Sequence, residues 1–312
     1  MLNGRVVIVT GGGRGIGRSH CLTLAGLGAT VVVNDLGVTV RGERSEETPA
    51  DSVVAEIVAK GGAAVADNTS VTDSDGIGKL VARTVEQFGR LDAVVNNAGI
   101  LRDRMITSLT LADFEAVMAV HVSGTFAVTK HACDYWRAMS KAGEPVAGRI
   151  VNTTSGTGLF GNIGQSPYGA AKAAIANLTM ITAMEMQRYG VTANAISPIA
   201  ATRMTGTVEH LAGPDGTAGA GGAPGWTPMD PGNSSPVVAW LASEASGWLT
   251  GAVLRVDGNK VSRMRPWAVD EDVTYVGPAG RPVPAQALDA GMRAAYGLVP
   301  KGLPASSPVA RP

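Results

Sequence analysis

A run of β-branched residues, Val6-Val7-Ile8-Val9-Thr10, leads directly into Gly11-Gly12-Gly13-Arg14-Gly15-Ile16-Gly17, and a helical pattern follows. Strand, glycine turn and helix start in that order leave few folds open. The glycines let the backbone turn sharply and let another group approach it closely. The helix N-terminus offers free N–H groups and the positive end of a dipole. A glycine turn alone often serves only to pack a strand on a helix. Flanked this way, it meets the structural context of a loop that cradles the pyrophosphate of a dinucleotide.

The same alternation runs on. Apolar, β-branched segments at 5–10, 30–35, 63–67, 92–96, 149–154, 191–197 and 252–257 read as strands. Segments 15–27, 46–60, 74–88, 111–139, 166–189 and 236–243 read as helices. Buried strands separated by helices imply βαβ units, and right-handed crossovers then give an α/β, doubly wound parallel sheet, a Rossmann fold. The pattern predicts one domain over 1–260 with a C-terminal extension over 261–312. Two stretches break the rhythm. Residues 205–235, rich in Gly, Ala, Pro and Thr, are expected to form a lid over a substrate. The extension carries Pro266, Pro278, Pro282, Pro284 and Pro300 and one short helical run at 285–296.

Composition excludes other classes. The 312 residues carry zero formal net charge, so there is no electrostatic footprint for nucleic acid or an anionic membrane. Apolar runs are expected to fall short of a membrane span, and the first strand is too short for a targeting segment. Cys21 and Cys133 match no metal spacing and are read as reduced thiols packed in helices of a cytoplasmic protein.

Asp35 ends the second strand, eighteen residues after Gly17. A carboxylate there accepts hydrogen bonds from ribose hydroxyls and repels a 2′-phosphate, which favours NAD over NADP. Its alternative role is to cap the Asn34-Asp35-Leu36-Gly37 turn, and Arg14, Arg41 or Arg44 could hold a 2′-phosphate instead. Asn96-Asn97-Ala98-Gly99 lies at the carboxyl end of the fourth strand, where open α/β sheets bind ligands. Tyr168 and Lys172, four apart, share one face of a helix start, and Ser155 lies thirteen residues before Tyr168. A free tyrosine, with pKa about 10, is a poor base. A nearby lysine cation favours the tyrosinate, which could take the proton of a substrate alcohol while Ser155 binds the same oxygen. Tyr-x-x-x-Lys is common on helix surfaces. Its coincidence with the glycine loop, Asp35 and the Asn-Asn-Ala-Gly turn is not.

With these motifs together, residues 3–260 resemble the short-chain dehydrogenase/reductase family. The resemblance implies an NAD(P)-dependent enzyme acting on CH–OH, with Ser155, Tyr168 and Lys172 catalytic. Gly11, Gly13, Arg14, Gly15, Ile16, Gly17 and Asp35 would bind the cofactor, together with Asn97, Ala98, Gly99, Tyr168 and Lys172. By position, Ser70 and Val71 would contact the adenine, Pro198 would border the cofactor at the end of the sixth strand, and Thr202 would bind the nicotinamide carboxamide. Where the family often has asparagine, this chain has His121, which could hold the water of a proton relay.

The segments Asn34-Asp35-Leu36-Gly37, Asn97-Ala98-Gly99-Ile100-Leu101-Arg102-Asp103-Arg104 and Gly161-Asn162-Ile163-Gly164-Gln165, with His121, are similar to one subgroup. It is the (3R)-hydroxyacyl-CoA dehydrogenase domain of peroxisomal multifunctional enzyme type 2. That implies a 3-hydroxyacyl-CoA as substrate and a homotetramer or homodimer. A hydroxysteroid dehydrogenase, a 3-oxoacyl reductase and a non-catalytic NAD(H)-binding sensor are the alternatives.

Overall fold

Alternate side chains along the central strands point to opposite sides, and here both sets are apolar, so both faces of the sheet need cover. The computed structural model describes residues 1–39, 41–43, 48–200, 226–265, 274, 276, 279 and 283–296. Strands β1 (Val6–Thr10), β2 (Thr30–Asn34), β3 (Ala63–Asp67), β4 (Ala93–Asn96), β5 (Arg149–Thr153), β6 (Thr192–Ile199) and β7 (Val253–Asp257) lie parallel in the order β3-β2-β1-β4-β5-β6-β7. The chain order reverses between β1 and β4, which opens a crevice beyond their carboxyl ends.

One face buries Val7, Val9, Val31 and Val33 beneath helices α1 (Gly15–Gly26), α2 (Pro49–Ala59) and α8 (Ser235–Leu241), through Leu24, Val53, Ile57 and Val238. The other buries Ile8, Val32, Val94 and Ile150 beneath α3 (Ser74–Phe88), α5 (Gly124–Lys141) and α7 (Ser166–Met186), through Leu80, Val128 and Ala183. Cys21 on α1 is buried, Cys133 on α5 is half-buried, and both are free thiols.

Three sequence expectations change. The 111–139 segment is interrupted: α4 (Leu111–Met118) passes into a π-helical turn, Ala119–Ser123, before α5 begins. The extra residue in that turn rotates His121 into the interior, where it is 1% exposed. The whole stretch Leu111–Lys141 is also long and apolar enough to cross a membrane by length and composition, contrary to the expectation that no segment is. Here it packs on α3 and α7. The alternation does not stop at Gly258, because β8 (Lys260–Arg263) turns back antiparallel to β7 and carries the first compact unit to Met264. Its four residues are all exposed, so no buried pattern marks them in the sequence.

Within the predicted lid, residues 226–235 are built structure. Trp226 Nε1 donates to Asn233 Oδ1 at 2.7 Å, Asp230 caps the 3₁₀ turn Pro231–Ser234, and α8 follows. Residues 205–225 lie outside the described residues, as does Thr202. In the second unit, Arg265–Pro312, α9 (Ala285–Tyr296) coincides with the predicted helical run.

Candidate active site

The loop after β1 is stitched to the loop after β4. Thr10 Oγ1 accepts the backbone N–H groups of Asn97 and Ala98 at 3.1 and 3.2 Å, and Asn97 Nδ2 donates to the Thr10 and Gly11 carbonyls. Only glycine fits at two places. Gly11 holds φ +62°, with Ala98 Cα 2.8 Å from where its Cβ would stand. At Gly17 a Cβ would lie 2.0 Å from the Gly11 carbonyl oxygen. The first turn of α1 is thereby seated against the loop, its N–H groups facing a cleft of about 510 Å³.

Gly11, Arg14, Gly15, Ile16 and Gly17 line that cleft, with Asp35, Ser70, Val71, Asn97, Ala98 and Gly99. Gly13 does not; it lies behind, against Pro49 and Asp35, and acts on the site indirectly. Its N–H donates to Asp35 Oδ2 at 2.9 Å, and the Gly37 N–H donates to Oδ1 at 2.9 Å. Asp35 therefore caps the turn, the alternative role read from the sequence, and also lines the cleft. Arg14 reaches over the same wall, donating to the Val38 carbonyl at 3.0 Å. Asn34, Val38, Thr39 and Thr69 also line the cleft and escaped the sequence reading. Their place depends on the β2–β3 register, Asn34 beside Asp67, which Asn34 Nδ2 seals with bonds to Asp67 Oδ1 and the Thr69 carbonyl. A glycine cradle too tight for any Cβ, a helix N-terminus and a fixed carboxylate together fit a nicotinamide dinucleotide.

Ser155, Tyr168, Lys172 and His121 come together beyond this cleft. Ser155 caps α6 (Gly156–Phe160), accepting the Thr157 N–H. Tyr168 is in the first turn of α7, and Lys172 follows one turn later, buried. Lys172 Nζ donates to the Thr153 carbonyl at 2.6 Å and lies 5.6 Å from the centre of the Tyr168 ring. The His121 ring meets the Tyr168 ring edge-on, with centroids 5.5 Å apart. Its Nε2 stands 3.1 Å from the Ile100 N and 2.8 Å from the Ile100 O, while its Nδ1 is buried with no partner. A Cβ on Gly99 would strike the His121 ring at 2.4 Å, so glycine is required at 99 beside this histidine. Pro198 falls inside β6 and pairs with Val256, and it does not line the cleft.

Burial raises the Tyr168 phenol above its ordinary value; Ser155 pulls it down as a hydrogen-bond partner, and the charge of Asp103 pushes it up. Burial is thus the largest influence on the phenol in the protein alone. Burial also acts on Lys172, bringing it down to about 7. Burial holds His121 neutral, with its pKa near 3, and Lys172 adds to the effect.

Residues 5–211 match the short chain dehydrogenase family. The chain is a short-chain dehydrogenase. This family binds a nicotinamide dinucleotide and oxidises or reduces at CH–OH. The dehydrogenase is 41% identical over 267 residues to hydroxyacyl-CoA dehydrogenase ChsB1 of Mycobacterium tuberculosis, covering 85% of this chain and 81% of that one. It is 39% identical over 263 residues to the peroxisomal multifunctional enzyme type 2 of Mus musculus, covering 84% of this chain but 33% of that enzyme. The dehydrogenase thus spans a third of the multifunctional relative. A solved short chain dehydrogenase from Mycobacterium avium is similar with a TM-score of 0.79 and 48% identity, over 93% of each chain.

Proposed function

We propose that this short-chain dehydrogenase interconverts a 3-hydroxyacyl-CoA and its 3-oxo counterpart with NAD(H). One observation carries the reading: Ser155, Tyr168 and Lys172 converge next to Gly99 and His121, where the dinucleotide cleft meets the carboxyl ends of β4 and β5. A nicotinamide dinucleotide held by this cleft would supply the hydride acceptor or donor for the carbinol carbon. Tyr168 moves the proton: its raised phenol is an acid ready to protonate an oxo oxygen, and in oxidation its phenolate takes the hydroxyl proton. Ser155 orients that oxygen. Lys172, held by the Thr153 carbonyl, stands one helical turn from the phenol and would hold the nicotinamide ribose. Burial keeps His121 neutral, so it is not a cation of the site. It fixes Gly99, Ile100 and the edge of Tyr168 instead.

Asp35 supports NAD, because its fixed carboxylate opposes a 2′-phosphate. The relatives named for hydroxyacyl-CoA dehydrogenation support the substrate. No Lys or Arg lies between Met204 and Leu254, so the phosphates of coenzyme A need other partners. Arg102 lines the dinucleotide cleft and pairs with Asp113 at 3.5 Å, whereas Arg104 is exposed and is a candidate for them. Exposed Leu111, Phe114 and Phe126 on α4 and α5, and Ile181 and Met184 on α7, fit a homodimer or homotetramer built on these helices. Light scattering that gives a monomer at micromolar concentration would contradict the assembly.

The test of function is turnover of purified protein with NAD and NADP against 3-hydroxyacyl-CoA, steroid alcohols and small secondary alcohols. Fastest turnover of the acyl-CoA, with affinity falling as salt rises, supports the reading. Faster turnover of a neutral steroid with no salt effect overturns it.

A further inference from the structure

Asp103 lies on the loop after β4, and its Oδ2 accepts a hydrogen bond from Gln165 Nε2 at 2.8 Å, sixty-two residues away in sequence. Gln165 is 7% exposed and stands three residues before Tyr168. Its other amide atom is also in use: Oε1 accepts from Thr157 Oγ1 at 3.1 Å and from Asn162 Nδ2 at 2.9 Å. Thr157 in turn gives its N–H to Ser155 Oγ at 3.2 Å. The backbone repeats the connection, with the Arg104 N–H donating to the Gly164 carbonyl at 2.9 Å.

These contacts join three separate pieces of chain. The loop after β4 contributes Asp103, the start of α6 contributes Ser155 and Thr157, and the start of α7 contributes Gln165 and Tyr168. Only Asp103 brings a charge to the node, and its second oxygen, Oδ1, is buried without a partner among the described residues. A primary amide can be held in either of two flipped orientations, and a carboxylate, which only accepts, selects the one that offers Nε2 to Asp103 and Oε1 to Thr157.

We propose that Asp103 is a positioning residue for the Ser155–Tyr168 pair, acting through Gln165, and that its negative charge sets the pH range over which the pair works. The proposal rests on the catalytic reading of Tyr168 given above. Among the described residues, the groups that face the phenol are Lys172 from α7, His121 from the π turn, Ser155 from the start of α6 and Asp103 from the β4 loop. Lys172 is a cation that titrates near neutrality and His121 is neutral, so Asp103 is the anion among them. Burial shifts Asp103 itself upward, and the bond from Gln165 pulls it back. An anion near the phenol disfavours the phenolate, so removing it moves the titration of Tyr168 to lower pH.

Asp103→Asn and Asp103→Ala, with Tyr168→Phe alongside, separate the possibilities. For alcohol oxidation, the basic group's limb in the pH profile of kcat/KM should move to lower pH by about half a unit or more in Asp103→Asn, which keeps an acceptor for Gln165. Asp103→Ala should lose about tenfold or more in kcat, with little change in the affinity for NADH, because the node loses its anchor. NADH binding reports that each variant is folded; if Asp103→Ala is not, the limb in Asp103→Asn decides alone. An unmoved limb in Asp103→Asn overturns the proposal, as does wild-type kcat in a folded Asp103→Ala. If Tyr168→Phe is active, the catalytic reading has failed rather than the role of Asp103.

Discussion

Lys172 Nζ stands 5.6 Å from the centre of the Tyr168 ring while giving a 2.6 Å hydrogen bond to the Thr153 carbonyl. The lysine is thus fixed from one side by the sheet and set beside the phenol by one turn of α7. It is buried, and burial lowers its pKa from 10.5 to about 7. That placement costs stability while the group is charged, and it makes the fold itself pH-sensitive.

Between about pH 7 and 10.5 the unfolded chain holds a proton on this lysine that the native chain has released. The unfolded state binds more protons there, so the Lys172 contribution to stability rises with pH. It is fully present above 10.5, falls as the pH drops through that window and is lost below about 7. Denaturant titrations should therefore give wild type a more positive stability slope than Lys172→Met across the window, by at most about 1.4 kcal/mol per pH unit. Parallel slopes would mean that Lys172 titrates normally.

Asp35 has both oxygens occupied by the Gly13 and Gly37 N–H groups, so its charge cannot turn away from the cleft. Asp35→Ala should narrow the preference for NAD over NADP in kcat/KM by about tenfold or more. It should also weaken NAD binding, since the loop loses two anchors. A wild-type enzyme that favours NADP would assign the 2′-phosphate to Arg14 or Arg41 and reverse the cofactor reading.

His121 separates a structural role from a chemical one. His121→Asn can still pair with the Ile100 backbone and should keep activity within about tenfold. His121→Leu leaves a buried backbone group unpaired, at about 1–3 kcal/mol. Thermal unfolding of both variants checks this. If His121→Asn is inactive though folded, the ring's buried Nδ1 is a working part of the proton path.

The sequence exposes features that depend on neighbours along the chain. Strand β1, the glycine loop and the start of α1 are contiguous, and Tyr168 and Lys172 are one helical turn apart, so pattern alone places them. What it hides depends on distant partners. Asp103 is an isolated carboxylate in a loop until folding brings Gln165 to it. Thr69 and Asn34 reach the cleft only through the β2–β3 register. The π turn at Ala119–Ser123 leaves no mark in composition, because apolar residues continue across it and only His121 gains from the extra residue. Burial, which no spacing reveals, is the largest influence on the Tyr168 phenol and also lowers Lys172.

The most direct measurement is turnover of a 3-hydroxyacyl-CoA with NAD by Tyr168→Phe, set beside its binding of NADH. The substitution removes the phenolic oxygen and leaves the ring against His121. Turnover should fall by at least about a thousandfold, with the NADH dissociation constant within about threefold of wild type. Near-normal turnover by a folded Tyr168→Phe would contradict the assignment of Tyr168 as the acid/base, and with it the mechanism proposed for this enzyme.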